Sequence, residues 1–425
     1  MPKVVFLGSA NMDTTMKLKG EFPEEGTSEC ENLVESIART AGGKAFNQLL
    51  AFLKQCPDAE VSFVGCIGGV PKRDENGNVI IDKKTGQEVL EPDESGKVIH
   101  DILTNPDTGL SKVVLKMFYR MLDENGEQIL DENNKPKFIK TDGRIIQVDK
   151  NGQNRMTGYG DAIKQLTPRN VSELDSVLEG ADMVVIQLKM PAETVKYIID
   201  YCEKNNVKLL IDPTPLENSK LLVENNCELL KKATYLSPNE EEAFALAMYA
   251  IGKDVDEVKT LYKKTSPEQR VEMIKSLVKT SPNVFVTMGG DGVIFNKDGQ
   301  VISQETYPTE CRNSTGAGDS FNGAFAASII RGEDYETALL YGLLVSSIKV
   351  REEFGTTEGV LYYDETKEIF ENTERPNSVV EAIGLTQGDE IPKEVAEVIE
   401  EDETPIIPND SSVHSTDDND GDEPR

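Results

Sequence analysis

Short apolar runs alternate repeatedly with longer helical patterns along this sequence. The apolar runs do not alternate with polar residues, which is typical of parallel strands buried on both faces. They are VVFLG (4–8), VSFVGCIG (61–68), MVVIQL (183–188), KLLIDP (208–213), TYLSP (234–238) and NVFVTMG (283–289). Helical patterns lie between them at 44–55, 192–205, 240–250, 268–279, 318–331 and 335–350. This order predicts a layered α/β fold, whose polar loops should meet in one cleft at the carboxyl ends of the strands.

The length of the chain and its net charge limit the kinds of protein it could be. The 425 residues, 38% of them hydrophobic, suffice for a large core or for two domains. A net charge of −31 argues against binding to the phosphates of nucleic acids. Residues 386–425 hold 14 Asp and Glu against 2 Lys and Arg, with almost no aromatic side chains. We therefore predict a disordered acidic tail, which either keeps the chain solvated or binds a partner.

Cysteine usage and the chain start indicate a cytoplasmic protein. Six cysteines are scattered without a close pair, as expected in a reducing compartment rather than in a disulfide framework or a zinc site. The sequence MPKVVFLGSANMD predicts a strand and a turn, not a signal peptide. No apolar run has the length needed to cross a bilayer, so no membrane partner is expected. The sequence contains only two histidines, His100 and His414, so catalysis by histidine is not expected.

Residues 70–160 have a different character and contain a repeated unit. RDENGNVIID (73–82) resembles LDENGEQILD (122–131), and VDKNGQNRM (148–156) is a weaker third copy. Because Asn-Gly between alternating residues favours a two-residue hairpin, we predict β-ribbons that stand off the main sheet. The Asp and Asn spacing also suggests a calcium loop, but the glycine is misplaced and the bidentate Glu is missing for an EF-hand.

A glycine-rich turn followed by an acid is the strongest chemical signal, in NSTGAGDSFNGAFAASIIRG (313–332). Glycines at 316 and 318 let a ligand approach the backbone closely. A helix that begins near Gly318 directs free N–H groups and partial positive charge at the turn, which suits a phosphoryl group. Asp319 is placed to accept a proton from a hydroxyl near that group. The alternative is a glycine turn with an acidic helix cap.

Two further motifs suit a nucleotide with its metal. SPNEEEA (237–243) brings Asn239 and Glu242 to a helix start, where such oxygens hold Mg²⁺ through water near phosphates or merely cap the helix. VTMGGDG (286–292) ends a strand in a glycine turn that would let a nucleotide pass closely.

The N-terminal motifs suit a polyhydroxylated ligand. GSANMD (8–13) follows the first strand, and AGGKAFNQ (41–48) enters a helix. Their amide, carboxylate and ammonium groups could pair with sugar hydroxyls that leave water. The alternative is two capped turns. The residues concerned are Asn11, Asp13, Gly42, Gly43, Lys44 and Asn47.

Taken in order, these motifs and DPTPLE resemble those of the PfkB/ribokinase family of sugar and nucleoside kinases over residues 3–360. The N-terminal pair is most similar to the ribokinase branch, and TDGRIIQVDKNGQN (141–154) resembles its lid strands. The resemblance implies a three-layer αβα sandwich with a small β-sheet lid, enlarged here by hairpin insertions. The kinase domain would span 1–385, with lid and insertion at about 70–160 and part of 14–40, before the tail at 386–425.

The resemblance also implies an activity: ATP- and Mg²⁺-dependent phosphorylation of a primary hydroxyl of a small sugar, ribose first. Asp319 would be the base, and Gly316, Ala317 and Gly318 the anion hole. The six N-terminal residues named above would bind the sugar, and Asn239 and Glu242 would organise Mg²⁺ and phosphate. Thr287, Gly289 and Gly292 would lie along ATP.

Several residues differ from the ribokinase pattern, so other substrates and roles stay open. Lys189 and Arg144 add positive charge near the sugar, which suits an acidic or phosphorylated sugar unless both pair with local carboxylates. Asn313 replaces an acid that supports a monovalent cation in many ribokinases, and KVREEFGTTEG (349–359) matches that cation loop poorly, so K⁺ dependence stays open. Fructose, a nucleoside, or a non-catalytic sugar- or nucleotide-binding role are further alternatives. The extended ribbons could widen a lid-to-lid homodimer.

Overall fold

A computed structural model describes residues 1–22, 34–122, 127–151, 154–352 and 355–381. The strands are β1 (Lys3–Leu7), β2 (Asn11–Leu18), β3 (Val34–Gly42), β4 (Glu60–Pro71), β5 (Leu90–Pro92), β6 (Lys112–Phe118), β7 (Gly143–Val148), β8 (Asn154–Tyr159), β9 (Met183–Gln187), β10 (Lys208–Asp212), β11 (Tyr235–Leu236), β12 (Phe285–Thr287), β13 (Val293–Lys297), β14 (Gln300–Gln304) and β15 (Ser378–Val380). The predicted tail at 386–425 lies outside the described residues, so that prediction and the boundary at 385 stay predictions.

The helices alternate with these strands. They are α1 (Lys44–Gln55), α2 (Glu94–Thr104), α3 (Leu174–Leu178), α4 (Ala192–Asn205), α5 (Leu216–Lys232), α6 (Glu240–Ala250), α7 (Val255–Lys264), α8 (Pro267–Thr280), α9 (Ala317–Arg331), α10 (Tyr335–Lys349) and α11 (Tyr363–Asn372). All six predicted helices are present, with ends within one residue of the predicted ones. None of the described helices is both long enough and apolar enough to cross a bilayer.

The central sheet follows the prediction from the apolar runs. Its strands run in the order β11, β10, β9, β1 and β4, all parallel, and β6 continues parallel to β4 while β5 pairs with it antiparallel. Val5 pairs with Ser62 on one side and with Val184 on the other, and all three side chains are fully buried. This burial on both faces explains the uninterrupted apolar runs.

A second sheet extends the first. Strands β12 to β15 form an antiparallel sheet in chain order. Isolated parallel bridges from Leu236 to Val284 and from Asn239 to Thr287 place β12 beside β11. The carboxyl ends of β10, β11 and β12 therefore lie next to one another, where the nucleotide motifs follow.

Two groups of helices complete the three layers. Helices α1, α9, α10 and α11 pack on one another, and α4 to α8 form the other group. Gly323 in α9 allows the close contact with α1, because a Cβ there would lie 2.5 Å from the backbone oxygen of Gln48. A larger residue at this position would therefore force α9 away from α1.

The predicted lid is a separate four-stranded sheet in the order β3, β2, β7 and β8. Asp13 in β2 pairs with Thr40 on one side and with Arg144 on the other. Because β2 and β3 meet at Asn11 and Gly42, the sugar motifs lie at the base of the lid.

The predicted ribbons are present in the described part of the insertion. Bridges join Arg73 to Val79 and Ile81 to Glu88 in the first ribbon, and Arg120 to Phe138 in the second. The third copy of the repeat differs, because its described residues include Val148 at the end of β7 and Asn154 at the start of β8, which pair in the lid sheet.

Candidate active site

One cleft lies under the lid, at the carboxyl ends of β10 to β12 and at the N-termini of α1, α6 and α9. Its volume is about 510 Å³, within the range of ligand pockets. The predicted site residues that line it are Asp13, Gly43, Lys44, Asn47, Arg144, Asn239, Glu242, Thr287, Gly289, Gly292, Gly316, Ala317, Gly318 and Asp319. Asn11 and Gly42 contact Asp13 behind this lining, whereas Lys189 borders a neighbouring depression.

The glycine turn at the start of α9 needs its glycine for two reasons. Gly316 has φ 77°, in the left-handed region, and a Cβ there would lie 2.4 Å from the Thr356 backbone oxygen. By contrast, a Cβ on Gly318 would meet no atom within 4 Å, so this residue faces open space. The Ala317 amide donates to the Ser314 oxygen at 3.1 Å. Among the described residues, the amides of Gly318 and Asp319 have no acceptor, as expected for a first helical turn.

Asp319 is fixed at the floor of the cleft by two amides from α1. Its Oδ2 accepts from Nδ2 of Asn47 at 2.9 Å, and its Oδ1 accepts from Nε2 of Gln48 at 3.3 Å. Burial raises the pKa of Asp319 above 3.8, against the opposing effect of Lys44, and the Asp212 carboxylate raises it further. The end of the motif AGGKAFNQ, in α1, thus holds the acid of the glycine turn in place through these two hydrogen bonds.

Lys44 binds Asp212, the last residue of β10. Its Nζ lies 2.9 Å from Oδ2 of Asp212, which also accepts from Gln48 at 2.8 Å. Burial by itself lowers the pKa of Lys44, but the carboxylates of Asp212, Asp319 and Glu242 raise it overall. The ammonium is therefore charged, paired with Asp212 and stabilised from further away by Asp319 and Glu242.

The base of the lid holds a buried polar pair. Asp13 accepts from Nδ2 of Asn11 at 2.6 Å, while Oδ1 of Asn11 is buried and has no hydrogen-bond partner among the described residues. Gly42 and Gly43 approach these groups so closely that a Cβ would lie 2.7 Å from Asp13 and 2.5 Å from Asn11. Burial raises the pKa of Asp13, and the positive charge of Arg144 opposes this shift.

Asn239 and Glu242 form a capping box at the start of α6. Asn239 accepts from the Glu242 amide at 2.9 Å, and Glu242 accepts from the Asn239 amide at 3.0 Å and from the Thr214 hydroxyl. Burial, and after it the Asp212 carboxylate, raise the pKa of Glu242. In the part of the chain that the structure describes, no group of three or more His, Cys, Asp or Glu residues could hold a metal.

The glycine turn after β12 has the predicted shape. Gly289 and Gly292 have φ of 57° and 96°, and a Cβ on Gly292 would lie 2.0 Å from the Gln304 oxygen. Thr287 donates its amide to the Pro238 oxygen at 3.0 Å, which ties this turn to α6.

The two added cations differ in position. Arg144 points into the cleft beside Asp13, and among the described residues no hydrogen bond or ion pair holds its guanidinium. Lys189 is half-buried in the depression that Lys164 and Pro191 also border. Burial lowers the pKa of Lys189, and the charge of Arg144 lowers it further. Neither cation forms an ion pair with a described carboxylate.

Several residues that complete the site were not predicted from the sequence. They are Gln48, Asp212, Ser237, Asn322 and Thr356. Gln48, Asp212, Ser237 and Asn322 lie within the motifs AGGKAFNQ, DPTPLE, SPNEEEA and NSTGAGDSFNGAF, so the motifs were the available signal. Thr356 donates to Asn47 at 3.1 Å from the segment KVREEFGTTEG (349–359), which was compared only with a cation loop and matched it poorly.

The sequence is similar to those of known carbohydrate kinases. The sequence profile of the pfkB family carbohydrate kinases matches residues 134–360, more than half of the chain. Ribokinase of Lactococcus lactis is 26% identical over 369 residues, which cover 86% of this chain and 96% of that protein. Ribokinase of Bacillus subtilis is 29% identical over 218 residues, which cover 51% of this chain and 65% of that protein.

Solved structures share the fold. Ribokinase of Thermotoga maritima superposes with a TM-score of 0.61 at 23% identity, over 88% of this chain and 100% of that one. Arabidopsis thaliana ribokinase complexed with ribose and ATP gives a TM-score of 0.60 at 21% identity, over 88% and 99%. The three-layer architecture with a lid is therefore confirmed.

Proposed function

This chain belongs to the PfkB family of ATP-dependent carbohydrate kinases, and on that premise we propose that it phosphorylates the primary hydroxyl of ribose. The observation that carries the proposal is the hydrogen bond from Asn47 to Asp319 at 2.9 Å. It joins the helix that follows the sugar motif to the helix that begins at the phosphate turn. An acceptor hydroxyl bound near Asp13 and Asn47 would thus meet both a base and an anion-binding turn.

Asp319 supplies the base in this proposal. Its carboxylate takes the proton of the sugar hydroxyl as the oxygen attacks the γ-phosphorus of ATP. The bond from that phosphorus to the bridging oxygen breaks, and ADP leaves with the electron pair. The free amides of Gly318 and Asp319 stabilise the charge on the phosphoryl oxygens. Lys44 and the two amide donors favour the ionised form of Asp319, which burial disfavours.

The unpaired acceptor at the base of the lid supports sugar binding. A buried amide oxygen without a partner costs about 1–3 kcal/mol. A sugar hydroxyl that donates to Oδ1 of Asn11 would remove this cost, and Asp13 could accept from a second hydroxyl. The lid would exclude water from the transfer.

Mg²⁺ fits the carboxyl groups at the other end of the cleft. The Asp212 carboxylate raises the pKa of Glu242, and a nearby divalent cation would relieve this repulsion. Asn239 and Glu242 would hold the ion through water, because their side chains already cap α6. The ion would neutralise phosphate charge.

Release of ADP from ATP and Mg²⁺ tests this function. We expect ribose to give the highest kcat/KM in a panel of pentoses, hexoses and nucleosides, and the product to be phosphorylated at the primary hydroxyl. Asp13→Asn should raise the KM for the sugar while the KM for ATP changes little. A protein that binds ATP but releases no ADP with any member of the panel would contradict the proposal.

A second candidate substrate, an anionic sugar, is favoured by the free guanidinium of Arg144 beside Asp13. An arginine without a partner in a cleft is suited to a carboxylate or a phosphate. In this case sugar acids or sugar phosphates would exceed ribose in kcat/KM, and Arg144→Gln would reverse the order. Lys164→Gln serves as the control, since Lys164 pairs with Asp161 outside the cleft. An unchanged order in Arg144→Gln would reject this candidate.

A further inference from the structure

The ammonium group of Lys349, the last residue of α10, is buried in the protein interior. The side chain is 0% exposed and is among the largest fully buried side chains of the described chain. Burying an ammonium is costly unless its three N–H donors find partners. The position of this lysine therefore calls for an explanation.

Its partners are backbone carbonyls rather than carboxylates. Nζ donates to the carbonyl oxygen of Asn313 at 3.1 Å and to that of Thr315. No described carboxylate lies within ion-pair distance of Nζ. Burial lowers the pKa of Lys349, and Glu358 opposes this shift from a longer distance. The two carbonyls thus provide the polar contacts that hold the charge.

These carbonyls belong to the segment that leads into the phosphate turn. Asn313 accepts from the Thr315 amide at 2.9 Å and donates to the Gly355 oxygen at 3.2 Å. The Asn313 amide in turn donates to the oxygen of Val350, the neighbour of Lys349. Gly316 follows directly and packs on Thr356. The ammonium therefore ties the end of α10 to two of the three residues that directly precede Gly316.

We propose that Lys349 is a tethered internal cation that positions the phosphate turn and makes catalysis independent of a free monovalent cation. Backbone carbonyls are also the ligands that an alkali-metal ion would use. An ion on the carbonyls of Asn313 and Thr315 would meet the ammonium at close range, and like charges repel strongly in a buried site. The covalent tether supplies the charge without a binding step.

Turnover in different salts tests this proposal. We expect the wild-type protein to show the same kcat in potassium, sodium and choline chloride at equal ionic strength. Lys349→Met keeps the length and removes the charge, so its kcat in choline should fall by roughly 10²-fold through misplacement of the turn. Potassium, but not choline, should restore much of this loss, with little change in the KM for the sugar.

Lys54→Met is the matched control. Lys54 is also partly buried, and its Nζ donates to the carbonyl oxygens of Thr357 and Val360 at 3.1 and 2.9 Å. It does not contact the residues that precede the turn. Potassium should therefore not change the activity of this variant relative to choline.

Thermal unfolding gives a second readout that needs no turnover. Potassium should raise the unfolding temperature of Lys349→Met relative to choline and leave the wild type unchanged, even if the substrate is not ribose. Several-fold activation of the wild type by potassium would overturn the proposal, and this arm decides even if the variant does not fold. A folded Lys349→Met variant that responds equally to all three salts would also overturn it.

Discussion

At the scale of single residues, three carboxyl groups of the cleft act electrostatically on the ammonium of Lys44, and Asp212 pairs with it directly. Asp212, Asp319 and Glu242 all raise the pKa of Lys44, and Lys44 opposes the raised pKa values of Asp319 and Glu242. The protonation state of the proposed base therefore depends on its neighbours. Coupling of this kind is expected where a carboxylate must remain ionised in a buried site.

The raised pKa of Asp319 predicts the pH dependence of turnover. A base acts when ionised, so kcat should fall as the pH drops through a pKa above 3.8. Because Lys44 lowers this pKa, Lys44→Met should move the acid limb of the kcat profile to higher pH, whereas Lys54→Met should leave it in place. A limb that stays fixed in Lys44→Met would show that another group titrates.

Some residues of the site could be predicted from the sequence and others could not. Asp319 and the glycines were identified because their spacing has a direct chemical meaning. Gln48 and Asp212 were missed because their roles arise from a contact between α1 and β10, 164 residues apart along the chain. Thr356 was missed for the same reason, since it reaches Asn47 across 309 residues.

At the scale of elements, α9 owes its function to two glycines with different requirements. Gly316 adopts a left-handed conformation against Thr356, whereas Gly318 is helical and faces the cleft. Strain at the first position should affect folding, and a side chain at the second should affect only the ligand.

Alanine substitutions separate these two roles. Gly316→Ala should destabilise the protein by about 1–3 kcal/mol through backbone strain. Gly318→Ala should keep or raise stability, by up to about 1 kcal/mol, because alanine favours a helix. Its methyl group should nevertheless lower kcat by roughly 10²-fold by obstructing the phosphoryl group. Denaturant unfolding and ADP release measure the two effects, and full activity in Gly318→Ala would place the phosphoryl group elsewhere.

The elements themselves were predictable to different degrees. Strands and helices of the core were predicted well because burial imposes a clear apolar pattern. Five helices were not predicted: α2, α3, α5, α7 and α11. Helix α5 contains the buried side chains Leu222 and Leu230, so a lack of burial does not explain why it was missed. Helices α7 and α11, by contrast, each bury only one side chain within their bounds, Val258 and Thr366. Such helices carry too weak a periodicity to be distinguished from loops.

At the scale of the whole molecule, the first ribbon of the insertion lies outside the cleft. None of the residues that line the cleft comes from the first ribbon. This ribbon closes where the Lys72 amide donates to the Val89 oxygen at 2.8 Å, so its tip can be shortened without moving its ends. The repeated Asn-Gly signal predicted the ribbon, but sequence patterns could not predict its independence from the site.

Replacement of residues 74–87 by an Asn-Gly turn tests this separation. Because loop-closure entropy changes slowly with length, the free energy of unfolding should change by less than about 1 kcal/mol. The kcat with ribose should stay within about twofold, since loops far from a site rarely affect it. A folded variant with a much lower kcat would show that the ribbon takes part in lid closure.

The central claim is that Asp319 removes the proton of the acceptor hydroxyl at a turn that holds the phosphoryl group. Asp319→Asn tests it most directly, through the rate of ADP release with saturating sugar and ATP and through the Kd for ATP. We predict that kcat falls by about 10²–10⁴-fold while the Kd for ATP changes little. Turnover at the wild-type rate in a folded Asp319→Asn protein would contradict the claim.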